Sequence, residues 1–375
     1  MFKFFKHLKN VIDFNQLDRS KRRLVFYSEG KNYWVHLQGM INCLLTDYDI
    51  PICYVSSGEG DPGLDIKHKN YTSFKIDDGW VRNWFFENID TDVMVMTMPD
   101  INQYQVKRSQ HKVHYVYTQH SLVSLHMVYR PGALDHYDSI FCAAPHHKTE
   151  IRALEKHYDL PAKALYEHGY ERLDSIIDES GKHQKPSNTP KHVLLAPSWG
   201  DNSIIELLGS QVVDEILASG FKLTLRPHPQ TLIFAKQKVD AIIKKHKDNP
   251  LFSFEANVAG QQSLQDSDIM ICDWSGAALD YAFGLNKPVV FIDVPRKINN
   301  PDYEKISIEP FEVSIRNKIG KVVSIDDIEN LGQHIEDTLI KFTGQTFDNE
   351  IYSLTNSAKK GASLLMEILD DINNK

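Results

Sequence analysis

The 375-residue sequence lacks several features that would place it in a simple class of proteins. Its four cysteines, Cys43, Cys53, Cys142 and Cys272, form no CxxC pair and lie among apolar residues. This arrangement is typical of buried thiols in a reducing compartment rather than of disulfides or zinc ligands. The formal net charge of -8 argues against a general nucleic-acid binder, which would present a basic surface. No apolar run approaches the roughly 20 residues of a membrane span.

The N-terminus also lacks the long apolar segment and the small-residue cleavage site of a secretion signal, so we expect a cytoplasmic protein. Residues 1–23 instead interleave phenylalanines with lysines and end in a basic cluster. A basic amphipathic helix of this kind can bind an anionic membrane surface, here the inner face of the plasma membrane. The alternative is a helix that packs on its own domain and leaves a solvated basic face.

Common catalytic motifs are absent, since the chain has no Walker A lysine loop, HExxH or GxSxG. The one GxGxxG match, residues 58–63, contains Glu59 and Asp61, which would repel a pyrophosphate, and no helical pattern follows it. We therefore expect a surface turn there. No dedicated set of metal ligands stands out at a suitable spacing.

What the sequence does have is a regular alternation of short apolar runs and helical patterns, which predicts two doubly wound α/β domains. We expect a first domain at 1–180, a proline-broken linker at 181–190, a second domain at 191–345 and a C-terminal helix at 346–375 that packs back across the interface. Ligands of such sheets lie beyond the carboxyl ends of the strands, so two facing domains would place the site in their cleft. The predicted strands are 23–27, 50–55, 93–97, 113–117, 139–143, 192–196, 222–225, 269–272 and 289–292, and the predicted helices include 204–219, 232–246 and 277–285.

The stretch from residue 266 to 293 reads as strand, tight turn, helix and strand. Asp273, Ser275 and Gly276 lie in the turn, immediately before the predicted helix. Unpaired N–H groups and the helix dipole attract phosphate at such a position. We therefore predict an anion site at this turn.

Three further turns carry candidate residues after predicted strands. Arg226 and His228 alternate with two prolines, which stiffen a loop that suits phosphate, although a rigid surface corner is the alternative. His120 and Ser121 follow another strand, where a histidine can act as a general base or can simply be a loop or core residue. Ser198 is either a helix cap or a phosphate ligand.

These turns, in this order, resemble the CDP-glycerol glycerophosphotransferases, a family that builds teichoic-acid-like polymers. The resemblance runs from about residue 113 to 295. One departure from the family pattern is Ser121, which stands where the family usually has glycine. The segments that carry it are Gln119-His120-Ser121, Gly169-Tyr170-Glu171-Arg172-Leu173-Asp174, Ala196-Pro197-Ser198-Trp199, Arg226-Pro227-His228-Pro229 and Cys272-Asp273-Trp274-Ser275-Gly276.

The resemblance implies a GT-B fold and transfer of a polyol phosphate from CDP-glycerol, or a related CDP-polyol, to a hydroxyl of a glycan or lipid-linked acceptor, with release of CMP. It places the catalytic pair on His120 and His228. We expect His120 to act as the general base and His228 to stabilise or protonate the departing CMP. The residues that we expect to contact donor or phosphate are Ser121, Ser198, Arg226, Asp273, Ser275 and Gly276. We expect no fixed cofactor, and Mg²⁺ carried by the donor diphosphate is left open.

Other functions remain open at this stage. The donor can equally be CDP-ribitol. The chain can also be a GT-B glycosyltransferase or epimerase that uses a nucleotide sugar, or a non-catalytic subunit of a polymer-assembly complex.

Overall fold

The computed structural model describes residues 2–77, 79–104, 106–184, 189–257, 260–347 and 349–374, without the side chains of residues 2 and 3. Four residues of the predicted linker, 185–188, therefore lie outside the described part. Contacts divide the chain into two compact units. The first contains residues 1–121, 129–175 and 348–375, and the second contains residues 122–128 and 176–347.

The first half of the chain alternates strands and helices as the sequence predicts. Its elements are α1 (Phe2–Gln16), β1 (Leu24–Ser28), α2 (Gln38–Thr46), β2 (Ile52–Ser56), β3 (Tyr71–Lys75), α3 (Trp80–Asn88), β4 (Val93–Met96), β5 (His114–Thr118), α4 (Leu125–Val128), β6 (Ser139–Cys142), α5 (Pro145–His157), β7 (Ala164–Glu167) and α6 (Glu171–Lys182).

All seven strands of the first unit run parallel, in the order β3-β2-β1-β4-β5-β6-β7. Strand β1, which has a neighbour on each side, is fully buried, as a strand covered on both faces must be. One face packs Leu24 and Phe26 against Met40 and Leu44 of α2. Because the strands are parallel, the loops that follow β1, β2, β4 and β5 lie at one edge of the sheet.

The second half repeats the pattern. Its elements are β8 (His192–Leu195), α7 (Ile204–Leu208), α8 (Gln211–Ala218), β9 (Lys222–Leu225), α9 (Thr231–Phe234), α10 (Lys236–His246), β10 (Phe252–Phe254), α11 (Gln262–Asp266), β11 (Ile269–Cys272), α12 (Ala277–Leu285), β12 (Val289–Asp293), α13 (Phe311–Ile319), β13 (Gly320–Ser324), α14 (Leu331–Lys341) and α15 (Ser357–Asn373).

Six parallel strands form the second sheet, in the order β10-β9-β8-β11-β12-β13. The loops after β9, β8, β11 and β12 therefore follow one another along its carboxyl edge, and these loops carry most of the predicted donor residues. The α/β class and the two doubly wound sheets are as predicted.

The last helix, α15, belongs to the first unit, where it packs on α2. A side chain at Gly361 would lie 2.4 Å from the sulfur of Met40, so the two helices approach closely only because this residue is glycine. The chain thus returns from the second unit to the first at its end, as we expected of the C-terminal helix. Within the described residues, no helix combines the length and apolar character that a bilayer span requires.

Two predicted helices are each divided in the structure. The prediction of one helix at 204–219 is wrong because Gly209, with φ of 54°, separates α7 from α8. The predicted helix at 232–246 is α9 and α10, which are separated at Ala235.

Candidate active-site residues

His120 lies in the loop that follows β5 in the first unit, within a cluster of tyrosines. Its Nδ1 is 3.0 Å from the hydroxyl of Tyr117, which is 2.8 Å from the hydroxyl of Tyr129. The hydroxyl of Tyr170 donates to the His120 carbonyl at 3.0 Å. Desolvation lowers the pKa of His120 to about 4, so the imidazole is neutral at physiological pH and able to accept a proton.

The Tyr117 hydroxyl contacts Nδ1 of His120, and the tautomer of the ring decides whether Nε2 can act as a base. Burial raises the pKa of Tyr117 and Tyr129 well above the ordinary value of 10, so both keep their protons. If His120 Nδ1–H donates to Tyr117, whose own hydroxyl donates to Tyr129, then Nε2 retains its lone pair. Ser121 is half-buried beside His120.

Glu29, which the sequence analysis missed, follows β1 at the same edge of the sheet. Burial raises the pKa of its carboxyl group to about 7, against the opposing effect of the Arg82 charge. Its own charge raises the pKa of Tyr33 and Tyr129, which places it near the tyrosine cluster. The family resemblance begins only at about residue 113, so a lone glutamate after an earlier strand gave no signal.

The Gly169–Asp174 segment connects the His120 loop to the last helix. Gly169 has φ of 110°, and a side chain there would meet Ser357 Oγ at 2.3 Å. Asp174 accepts the backbone N–H groups of Thr355 and Ser357 at 2.7 and 2.8 Å, at the start of α15. Since Tyr170 contacts the His120 backbone, this segment holds the His120 loop and α15 together.

His228 lies after β9 in the second unit. Its Nδ1 accepts the N–H of Gln230 at 3.1 Å, so the proton of the neutral ring is on Nε2, which can donate to a phosphate oxygen. Desolvation lowers its pKa to about 4, and the charge of Lys297 acts in the same direction. Arg226, 4% exposed, donates from Nη2 to the Gly260 carbonyl at 2.9 Å, which fixes its guanidinium.

Asp273 organises a neighbouring loop. It is 1% exposed, and its two carboxylate oxygens accept the N–H groups of Ser198 at 2.7 Å and Ile204 at 3.0 Å. Burial raises the pKa of the carboxyl group, and these hydrogen bonds oppose the rise. The contact of Asp273 with a donor stays a prediction, because the structure directs these oxygens at the loop that carries Ser198 and Trp199.

Ser275 and Gly276 lie at the start of α12, as the sequence predicts. Both are half-buried, and Ser275 Oγ accepts the N–H of Ala277 at 3.4 Å. The preceding Trp274 is fixed by its indole N–H, which donates to the Val294 carbonyl at 2.8 Å. This turn therefore presents a nine-residue helix N-terminus at the carboxyl edge of the sheet.

The second unit brings together residues from four loops. The Trp199 ring lies 6.0 Å from that of His228, and Lys297 Nζ lies 4.2 Å from the centre of the Trp199 ring. The sequence suggested that Trp199 stacks on a base or fills the cleft, whereas Lys297, in the loop after β12, was not predicted as a site residue. Among the described residues, no three His, Cys, Asp or Glu side chains form a group that could hold a metal ion.

A sequence profile of the family described as CDP-Glycerol:Poly(glycerophosphate) glycerophosphotransferase matches residues 94–297. The match covers just over half of the chain and contains every predicted site residue. The chain belongs to this family. It is therefore related to enzymes that transfer polyol phosphates, as the motifs indicated.

One curated relative is the minor teichoic acid biosynthesis protein GgaB of Bacillus subtilis (strain 168), 24% identical over 373 residues. The similarity covers 90% of this chain and 38% of GgaB, so the chain spans about two fifths of the length of that relative.

Solved structures of similar fold include UDP-bound MnaA of S. aureus, with a TM-score of 0.61 at 11% identity over 93% of this chain and 97% of that one. Another is the UDP-GlcNAc 2-epimerase of Neisseria meningitidis bound to UDP-GlcNAc, with a TM-score of 0.61 at 12% identity. The similarity covers 92% of this chain and 99% of that one. At this identity the likeness shows the fold alone, which is of the GT-B type that we expected.

Proposed function

We propose that this chain transfers glycerol phosphate from CDP-glycerol to a hydroxyl of a cell-surface glycan or a lipid-linked acceptor and releases CMP. The observation that supports this most directly is the family match over residues 94–297, which contains one half-buried, neutral histidine from each unit. The teichoic-acid relative supports a polyol donor in general.

In the proposed reaction, an acceptor hydroxyl attacks the phosphorus next to glycerol. His120 Nε2 takes the hydroxyl proton as the new P–O bond forms, and the bond to the CMP oxygen breaks with its electron pair. His228 Nε2–H donates to the departing phosphate. This step requires the tautomer in which Nδ1–H of His120 donates to the Tyr117 hydroxyl, because Nε2 then carries the lone pair.

Fixed positive and partial positive charges would hold the donor diphosphate. Arg226 is immobilised by its contact with the Gly260 carbonyl, and the N-terminus of α12 presents backbone N–H groups at Ser275 and Gly276. Preorganised donors of this kind stabilise charge that develops in the transition state. Ser198 and Ser121 complete the set of proposed phosphate contacts. If Mg²⁺ takes part, the donor diphosphate would be its main ligand.

The test is incubation with a panel of CDP-glycerol, CDP-ribitol, UDP-sugars and a range of acceptors, with the released nucleotide identified by mass spectrometry. We expect CMP to be released from CDP-glycerol in the presence of an acceptor. Preference for CDP-ribitol would correct the polyol, and release of UDP would point to a glycosyltransferase. Absence of any nucleotide release would support a binding subunit.

We also propose that α1 attaches the protein to the inner face of an anionic membrane. Its second half is anchored, since Val11 and Phe14 are buried, whereas Phe5 is 60% exposed. Trp80 of α3, 64% exposed, lies against Phe4 with ring centroids 6.4 Å apart. Exposed aromatic rings beside Lys6 and Lys9, on the same helix, suit a membrane interface. Phe5→Ser with Trp80→Ser should weaken sedimentation with phosphatidylglycerol vesicles, and unchanged sedimentation would remove this proposal.

A further inference from the structure

Lys297 is a half-buried cation at the carboxyl edge of the second sheet, in the loop that follows β12. Its Nζ lies 4.2 Å from the centre of the Trp199 ring. A cation over an indole face at this distance is held in place by the ring quadrupole. In the described part of the chain, no carboxylate lies within ion-pair distance of Lys297.

The groups around Lys297 explain why its charge needs a ligand. The nearest acidic influence comes from Asp273, whose oxygens already accept two backbone N–H groups. His228, on the other side of Trp199, is a potential cation rather than an anion. Partial burial of an ammonium group without a counter-ion is unfavourable, and burial accordingly lowers the pKa of Lys297 to about 8.

The loop order of the sheet places this ammonium among the proposed donor contacts. Strands β9, β8, β11 and β12 are neighbours, and their following loops carry His228, Trp199, Ser275 and Lys297, in that order. A diphosphate carries two to three negative charges and would supply the counter-ion that the protein does not.

We propose that Lys297 binds the diphosphate of the nucleotide donor and thereby selects nucleoside diphosphates over nucleosides and monophosphates. This inference rests on the proposed function and adds a residue to it. Trp199 acts as a platform that aims the ammonium toward the loop of His228, so the charge is in place before the donor arrives.

The test measures binding rather than turnover. Calorimetric titration with CDP, CMP and cytidine is performed on the wild type, Lys297→Met and Lys297→Arg. The control is Lys236→Met, which removes an exposed lysine at the start of α10 that pairs with Asp240 at 2.6 Å. We expect Lys297→Met to weaken CDP binding by about 10–100-fold, CMP binding less and cytidine binding not at all. Lys297→Arg should retain most of the CDP affinity, and Lys236→Met all of it.

Two results would overturn the inference while the wild type still binds CDP. One is an unchanged CDP affinity in a folded Lys297→Met protein. The other is an equal loss of CDP and cytidine, which would show a distorted pocket rather than a lost phosphate contact. If the wild type binds no cytidine nucleotide, the proposed donor is wrong, and titration with inorganic pyrophosphate decides whether Lys297 binds a diphosphate at all.

Discussion

Burial keeps both candidate catalytic imidazoles neutral, but their hydrogen bonds give them opposite capacities. His228 accepts a backbone N–H at Nδ1, so its outer nitrogen is a donor. His120 contacts a hydroxyl at Nδ1, and a hydroxyl can accept. The pair can therefore divide the work of base and hydrogen-bond donor, because each ring has a different partner.

Tyr117 is the residue whose hydroxyl orients His120. Tyr117→Phe removes the partner of Nδ1 and allows the ring to place its proton on Nε2, where it cannot serve as a base. We expect kcat for CMP release to fall by about 10–100-fold, with little change in the affinity for CDP. Steady-state kinetics and CDP titration measure the two quantities separately.

Tyr137→Phe is the matched control for this substitution. Its ring lies 5.1 Å from that of Tyr117, but its hydroxyl donates to the Met98 carbonyl and not to the histidine. Its kcat should stay within about threefold of the wild type. Equal losses in both variants would show that the cluster acts through packing and not through the tautomer of His120.

Sequence reasoning at this scale could propose site residues where the residue type carried its own chemistry. The stiff Arg226–His228 loop and the turn at Ser275 were predicted from prolines, charge and helix position. It could not foresee that Asp273 would be committed to backbone amides, since that depends on how the neighbouring loop folds over it. Glu29 was missed because a single glutamate gains significance only through burial.

Among the elements, α15 shows how a segment distant in sequence fixes the His120 loop. Asp174 accepts the backbone N–H groups of Thr355, just before α15, and of Ser357, its first residue. Ser357 Oγ accepts the N–H of Tyr170 at 2.8 Å. Tyr170 in turn donates to the carbonyl of His120. Helix α15, Tyr170 and the His120 loop thus form one hydrogen-bonded series within the first unit.

Gly169→Ala should disrupt this series. A methyl group there would overlap Ser357, and φ of 110° is unfavourable for alanine. We expect a loss of about 2–4 kcal/mol in unfolding free energy and a faster release of α15. Urea unfolding gives the first quantity and amide hydrogen exchange over residues 357–373 gives the second.

Gly181→Ala is the control, because Gly181 lies in α6 with open space around it. That substitution should leave stability unchanged or raise it by about 0.5–1 kcal/mol through helix propensity. If Gly169→Ala proves as mild as Gly181→Ala, the junction is not strained in the way that the geometry indicates.

Strand prediction shows a similar limit. Buried strands such as β11 and β12 are continuous apolar runs, and the sequence located both within one residue. The strands β7 (Ala164–Glu167) and β10 (Phe252–Phe254) escaped notice because they lie at sheet edges and expose polar or partly polar faces. Their position is specified by pairing with a neighbour and not by their own hydrophobicity.

The whole molecule carries several histidines that are neutral because they are buried, and this gives its stability a pH dependence. His168, 1% exposed, has a pKa lowered to about 4 by desolvation. In the unfolded chain its pKa is about 6.5, so the unfolded state binds a proton first as the pH falls. Stability is therefore lost between pH 6.5 and 4.

His168→Phe should remove part of this dependence. Between pH 7 and pH 5, we expect the wild type to lose about 2 kcal/mol more unfolding free energy than this variant. The control is His111→Phe, at an exposed position, which should leave the pH dependence of the unfolding free energy as in the wild type. Urea unfolding at the two pH values measures each difference, and the same pH dependence in all three proteins would contradict the account.

The central claim at this scale is the proposed transfer, in which His120 takes the acceptor proton and His228 donates to the departing phosphate. The most direct measurement is CMP release from CDP-glycerol, with a competent acceptor, by folded His120→Asn and His228→Asn proteins. We predict that each substitution lowers kcat by about 100-fold or more, and that the double variant is little worse than the poorer single one. Near-wild-type CMP release by either folded single variant would contradict the claim.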